Sequence, residues 1–190
     1  MVPAQPTPYK RLTYADYCQI PDDGKRHEII DGIHYVSPAP RYIHQQIIVN
    51  LAGILNIWVK AQKSGIVLVA PFDVLLSDFD IVQPDVLFIS NENRGILNEK
   101  NATGAPDIAI EVLSPSNPNH DRELKFGRYE RFGVKEYWII DPQTENVSVY
   151  CLIQGHYQKS FSLLNEQDDT LTSTLLPGIE IRLNDIFYMP

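Results

Sequence analysis

Residues Ala105 to Tyr129, APDIAIEVLSPSNPNHDRELKFGRY, constrain this chain more than any other stretch. Ile108-Ala109-Ile110-Glu111-Val112-Leu113 is apolar at every position but one, and predicts a central strand buried on both faces. A carboxylate in such a run is costly to desolvate unless a metal, a base or hydrogen bonds hold it. A Pro-rich turn follows, then a helix from about His120 to Phe132, capped by Asn117-Pro118-Asn119 and stopped by Gly133. Asp121, Lys125 and Tyr129 recur at steps of four and share one face of that helix. The plainer account of that face is a solvated ion pair, worth roughly a few tenths of a kcal/mol.

A second acid, Asp85, follows Pro84 in the apolar run Gln83-Pro84-Asp85-Val86-Leu87-Phe88-Ile89, within a strand expected over Ile81 to Ser90. Two strand-borne carboxylates with a lysine nearby are the parts of a metal-dependent phosphodiesterase site. Cutting a phosphodiester needs a nucleophilic water, a neutraliser for the developing charge and help with proton transfer. A divalent ion held by carboxylates supplies the first two, and Mg²⁺, with Mn²⁺ as an alternative, prefers oxygen ligands. Asp85 and Glu111 suit it if their strands are neighbours, with the peptide carbonyl of Val112 as a third oxygen ligand. Lys125 is then the candidate to orient the attacking water.

The rest of the chain supplies the frame. Thr13 is an N-cap for a short helix ending near Pro21. Asp31-Gly32 between Arg26-His27-Glu28-Ile29-Ile30 and Ile33-His34-Tyr35-Val36 signals a hairpin, with Glu28 and Ile30 on one face of its first strand. A helix is expected over Tyr42 to Lys63, with an apolar stripe of Ile43, Ile47, Leu51, Ile54 and Trp58 and a terminating Gly65. His44 lies beside that stripe, either as a boundary histidine with one hydrogen bond or as a group facing a site. A strand over Ile66 to Leu76, interrupted by Pro71, carries Asp73. Asn91 to Gly104 reads as a surface loop with one helical turn, and Lys135 to Asp141 as a further strand. Asn146 to Ile153 and His156 to Ser162 form an antiparallel pair, Thr170 to Leu175 another strand, and Leu183 to Phe187 a last helical turn. This order describes one α/β domain over residues 12–190, a mixed sheet with helices on both faces. Residues 1–11, with three prolines among the first eight, are expected to be a flexible tail.

The net charge of −8 weighs against broad, tight binding to a phosphate backbone, so any nucleic-acid surface must be local. Arg122, Lys125, Arg128 and Arg131 on one helix, with Arg41 and Lys60 bracketing another, are the candidates. No apolar run approaches the roughly 20 residues that span a bilayer, and the N-terminus lacks the apolar centre of a secretion signal. Cys18 and Cys151 are then expected as reduced thiols in a cytoplasmic protein.

The motifs QPDVLFI, PDIAIEVLSPSN, the D-x-x-x-K-x-x-x-Y helix, GVKEYWIIDP and LPGIEI resemble the Uma-two family, bacterial proteins of the PD-(D/E)XK restriction-endonuclease-like superfamily. The likeness runs from Leu12 to Phe187. It implies a restriction-endonuclease-like core, a central mixed β-sheet flanked by α-helices on both faces, and a Mg²⁺-dependent endonuclease acting on DNA. Asp85 matches the aspartate of the proline-aspartate motif, Glu111 the acid of the second half-motif and the Val112 carbonyl the backbone metal ligand. Glu28 matches an acid of the early strand. Where the superfamily has a lysine two residues after the second acid, this chain has Leu113, and the resemblance moves the lysine to Lys125 on the following helix. Asp85, Glu111 and Lys125 are thus the expected catalytic set, with Glu28, His44, Asp73 and Asp121 as accessory candidates. A homodimer is implied, with Asn146 to Ser162 as the edge to be covered, and no organic cofactor or membrane partner. The alternative is a catalytically weak or inactive relative that binds nucleic acid or a protein.

Overall fold

Two prolines decide the architecture. Pro71 and Pro84 have no amide proton to give a sheet ladder, and each stands where the chain leaves one sheet for another. In the computed structural model, which describes residues 10–114, 120–167 and 169–190 and the backbone alone for 120–122, the strand expected over Ile66 to Leu76 is therefore two. So is the strand expected over Ile81 to Ser90.

The elements run as follows. Helix α1 (Tyr14–Tyr17) is closed by a capping box between Thr13 and Asp16. Strands β1 (Arg26–Ile30) and β2 (Ile33–Ser37) form the expected hairpin, with Asp31 and Gly32 both at positive φ as its two-residue turn requires. Helix α2 (Tyr42–Gln62) leads to β3 (Gly65–Val69), β4 (Asp73–Ser77), β5 (Asp80–Val82) and β6 (Val86–Ser90). The loop expected over Asn91 to Gly104 holds a 3₁₀ turn and also β7 (Asn101–Thr103), which pairs in parallel with β4. Strand β8 (Ile108–Val112) is followed by a π-helical segment, His120–Lys125, running into α3 (Phe126–Phe132). Then come β9 (Glu136–Asp141), β10 (Asn146–Ile153), β11 (His156–Leu164), β12 (Thr170–Leu171), β13 (Ile181–Arg182) and α4 (Leu183–Ile186). Residues 1–9 and the cap expected at Asn117-Pro118-Asn119 lie outside the described residues. Arg11, assigned to the tail, is bonded to Asp31 and lies over the Phe79 ring.

A six-stranded sheet has the order β11-β10-β9-β8-β6-β3, antiparallel except for the parallel pair β8–β9. A five-stranded sheet has the order β2-β1-β5-β4-β7. As expected, β8 is interior and wholly buried. Its alternation sends Ile108, Ile110 and Val112 to a core under α2 and α4, and Ala109 and Leu113 to a second core. That second core joins Tyr129 of α3 with Ile30, Val74 and Val82 of the five-stranded sheet. Glu111, being odd, points to the second face. Helices thus cover both faces of a mixed sheet.

Two local expectations need correction. The α2 stripe is Ile47, Leu51, Leu55 and Val59, joined by Ile48, with Ile54 and Trp58 at its margin and Ile43 left exposed. Strict steps of four carry the buried line one position round from the sequence pattern. Gly65 does not cap α2, because Lys63 takes the left-handed cap at φ 51°. Gly65 opens β3, where a methyl group would collide with the Ile89 carbonyl and the Phe88 ring. Among the described residues no helix is long and apolar enough to cross a membrane, and both cysteines are free.

Candidate functional site

Pro84 ends β5 in one sheet and releases β6 into the other, and Asp85 stands in the crossing. Its backbone carbonyl accepts the Ala70 amide beside Pro71, where the chain makes its other crossing. Asp85 therefore lies on the seam between the sheets. Its Oδ2 accepts the Val112 amide at 2.8 Å, which ties it to the end of β8. A strand residue directs its N–H and C=O to the same side, so the Val112 carbonyl also looks toward Asp85. Glu111, one residue earlier, reaches the seam from the second face of β8.

The helix lysine does reach back. Lys125 Nζ is 2.8 Å from Glu111 Oε1 and 2.9 Å from Glu28 Oε1, and the side chain is 1% exposed. The widened turn of the π-helical segment ends at Lys125, and the α-helical step of four beyond it keeps Tyr129 on the same side. Tyr129 donates its hydroxyl to Glu111 Oε1 at 2.7 Å. Burial and the neighbouring Glu111 charge push the Tyr129 pKa well above its ordinary value, so it remains a donor. Glu28 comes from β1 and also accepts the Gln83 amide at 2.7 Å.

Sequence reasoning missed the central cation, Arg26. Its Nη1 is 2.6 Å from Asp85 Oδ1, and its Nη2 lies 3.6 Å from both Glu28 Oε1 and Glu111 Oε2. Nη2 also donates to the Gln83 carbonyl. The signal was present, since two positions along a strand return to the same face, and Arg26 precedes Glu28 by two. Burial alone would lower the Arg26 pKa, but Glu28, Asp85 and Glu111 outweigh it and hold the guanidinium charged. Burial likewise opposes ionisation of Glu28 and Asp85. Lys125 and Arg26 draw Glu28 below the usual carboxylate range, and Arg26 with His44 holds Asp85 well below it. Three carboxylates thus face two cations, Arg26 and Lys125.

These groups form the floor of a cleft of about 850 Å³, whose mouth includes Pro21, Val36, Pro38, Pro40 and Val49. His44 lies in its wall with Nε2 3.2 Å from Asp85 Oδ2, while its buried Nδ1 has no partner. Arg26 Nε and Gln83 Oε1 are also buried and unpartnered. Buried polar atoms left open at one place mark a site that takes up water or a ligand.

The remaining candidates sit elsewhere. Asp73 is behind the wall, where it accepts from the Tyr17 hydroxyl and Gln83 Nε2, both at 2.8 Å. The Asp121 and Arg122 side chains lie outside the described residues. The other helix cations do not form an open basic face. Lys125 is buried, Arg128 pairs with Asp31 at 3.0 Å and Asp80 at 3.4 Å, and Arg131 lies over the Phe132 ring. Tyr137 and Trp138 are core residues.

The donor types suit a hard divalent cation: carboxylates from Asp85 and Glu111 and a peptide carbonyl from Val112. In the geometry described, however, the guanidinium stands between those carboxylates. No group of three or more His, Cys, Asp or Glu among the described residues is arranged to hold a metal.

A protein of known structure shares this fold. A crystallised protein from Anabaena variabilis, described as "a putative nuclease belonging to DUF820", superposes with a TM-score of 0.77. The match covers 93% of this chain and 97% of that one at 20% identity. A Synechocystis protein described only as uncharacterised is 27% identical over 160 residues, 79% of this chain and 82% of its own length. The Uma2 family model, described as "Putative restriction endonuclease", matches residues 14–184, a span that takes in the seam, both strand carboxylates and the helix behind them. By that match over nearly its whole length, the chain belongs to the Uma2 family.

Proposed function

We propose that this protein is a divalent-cation-dependent nuclease that hydrolyses DNA phosphodiester bonds at the seam between its two sheets. The observation that carries the reading is the convergence of Asp85 and Glu111 at the floor of a cleft, with Lys125 Nζ 2.8 Å from Glu111. The family's description as "Putative restriction endonuclease" supports it. Asp85, Glu111 and the Val112 carbonyl would hold the cation, Mg²⁺ or Mn²⁺. When bound, such an ion lowers the pKa of its water and neutralises charge on the phosphate.

The chain's own groups do the rest. Lys125, whose ammonium holds Glu111 and Glu28 at the floor, would be the group that orients an attacking water. Tyr129, kept protonated, fixes Glu111 in one orientation. His44 has an unpartnered Nδ1 at the cleft wall and would hydrogen-bond a water or a phosphate oxygen there. The prolines and valines of the mouth give the cleft an apolar rim above its charged floor. A homodimer in the cytoplasm completes the proposal, with β11, the outer strand of the six-stranded sheet, as the edge a second copy would cover.

One observation favours a second reading, a nuclease-fold protein that binds without cutting: Arg26 and Lys125 already balance most of the carboxylate charge. A single experiment separates the two. Mg²⁺ and Mn²⁺ binding is measured by calorimetry on the wild type, Asp85→Ala, Glu111→Ala and Lys125→Ala, with cleavage of single- and double-stranded DNA on the same samples. The nuclease reading expects binding lost in both carboxylate variants and cleavage lost in all three. Binding without cleavage in the wild type selects the second reading, and absence of any binding defeats the metal site.

A further inference from the structure

We propose that Arg26 is an exchangeable counter-ion: its guanidinium holds the place of the divalent cation and leaves when that cation binds. The inference rests on the metal-dependent reading above and adds to it a competitor built into the chain.

Three observations carry it. The first is position. The guanidinium lies among the oxygens of three carboxylates, at 2.6 Å from Asp85 and 3.6 Å from Glu28 and Glu111. A cation bridging Asp85 and Glu111 would need that same space.

The second is geometry. An arginine committed to one carboxylate uses its planar fork, two parallel bonds to two oxygens. Arg26 gives Asp85 one nitrogen, while the other Asp85 oxygen is taken by the Val112 amide and His44. Its Nε is buried without a partner. Its side chain keeps 22% of its surface exposed, compared with 1% for Lys125. Arg26 thus divides its donors between Asp85 and the Gln83 carbonyl, with the two glutamates farther off, and lies partly open to the cleft, whereas Lys125 is buried.

The third is charge. Among the described residues, Glu28, Asp85 and Glu111 bring three carboxylates and Lys125 one ammonium, so their formal charge without Arg26 is −2. A divalent cation cancels that charge in full, whereas Arg26 cancels half of it. Exchange of one for the other therefore improves the charge balance of the cluster, and it delivers the released guanidinium to the cleft that an anionic substrate would enter.

Competition for the same oxygens is a coupling, and couplings of this kind span roughly 5–150-fold in affinity. The test is Mg²⁺ and Mn²⁺ calorimetry on wild type and Arg26→Gln, whose amide can still donate to Asp85 or the Gln83 carbonyl. Arg26→Gln is expected to bind at least about tenfold more tightly. A second measurement uses the intact protein. The Arg26 Nε–H resonance of ¹⁵N-arginine-labelled protein, identified by its loss in Arg26→Lys, should move saturably as Mg²⁺ is added.

If the wild type binds cation while Arg26→Gln binds equally or more weakly, the exchange is overturned and the metal reading stands. The same holds if the wild-type resonance stays fixed at saturating Mg²⁺. If neither protein takes up cation, both are overturned. Should Arg26→Gln fail to fold, the wild-type resonance decides alone.

Discussion

Two buried glutamates, Glu111 on β8 and Glu136 on the neighbouring strand β9, are each about 1% exposed, yet they are satisfied in opposite ways. Glu136 accepts from uncharged donors: Trp138 Nε1 at 2.9 Å, Ser173 Oγ at 2.8 Å, and the Thr174 hydroxyl and amide at 2.6 and 3.0 Å. Those groups are fixed by the backbone of β9 and of residues 173–175, and none lines the cleft. Glu111 is met by Lys125, Tyr129 and Arg26 at the cleft floor. A carboxylate kept for structure is wrapped in neutral donors and sealed. Glu111 is instead held by charged partners beside an open cleft.

The sharpest way to break this contrast is Lys125→Ala, which strands Glu28 and Glu111 without their common cation. Removing one partner of a buried pair costs about 3–5 kcal/mol, so a large fall in denaturation midpoint is expected. Added Mg²⁺ should restore part of the loss, because the stranded charge gains affinity for a cation. A Lys125→Ala protein as stable as wild type would mean the cluster contributes nothing to folding.

Next comes pH. Glu28 and Asp85 have folded pKa values below the ordinary carboxylate range, so their stabilisation is complete above the unfolded values, near pH 4. It is lost as pH falls through the folded ones. Asp85→Asn should therefore be less stable than wild type by about 2–3 kcal/mol above pH 5. The two denaturation curves should converge as the solution is made more acid. A constant gap down to pH 2 would contradict the assigned direction.

The smallest expected effect is Glu136→Gln. Its neutral donors keep one carbonyl acceptor, and the cost is about 1–2 kcal/mol from weakened hydrogen bonds. Calorimetry should give a divalent-cation affinity equal to that of the wild type. A changed affinity would join Glu136 to the site and dissolve the distinction.

Much of this was legible in the chain. The apolar run around Glu111, the Asp31-Gly32 turn and the Gly133 stop each rest on a local rule, and each holds in the structure. Pro71 and Pro84 were visible as interruptions, but a break in a strand does not say which sheet the next residue joins. That choice is made by the partner strands, β6 for β3 and β5 for β4, far away in sequence. Asp85, Glu111 and Lys125 were named from pattern and resemblance, and their mutual distances follow from the crossing at the seam. Arg26 went unread because a charged residue near a hairpin entrance is ordinary, and only the packing of β1 beside β5 turns it inward. Asp73 shows the reverse error: an acid in an apolar strand that is spent on Tyr17 and Gln83.

The seam also has a mechanical meaning. Arg26 and Glu28 ride on the five-stranded sheet, Glu111 belongs to the six-stranded one, and Asp85 is the stitch between them. The cluster is therefore a clasp, closed only when both sheets are home. Sliding one sheet against the other by an ångström would part the clasp before it disturbed either ladder. The pairing of these charges and the alignment of the two sheets are in this way two readings of one coordinate.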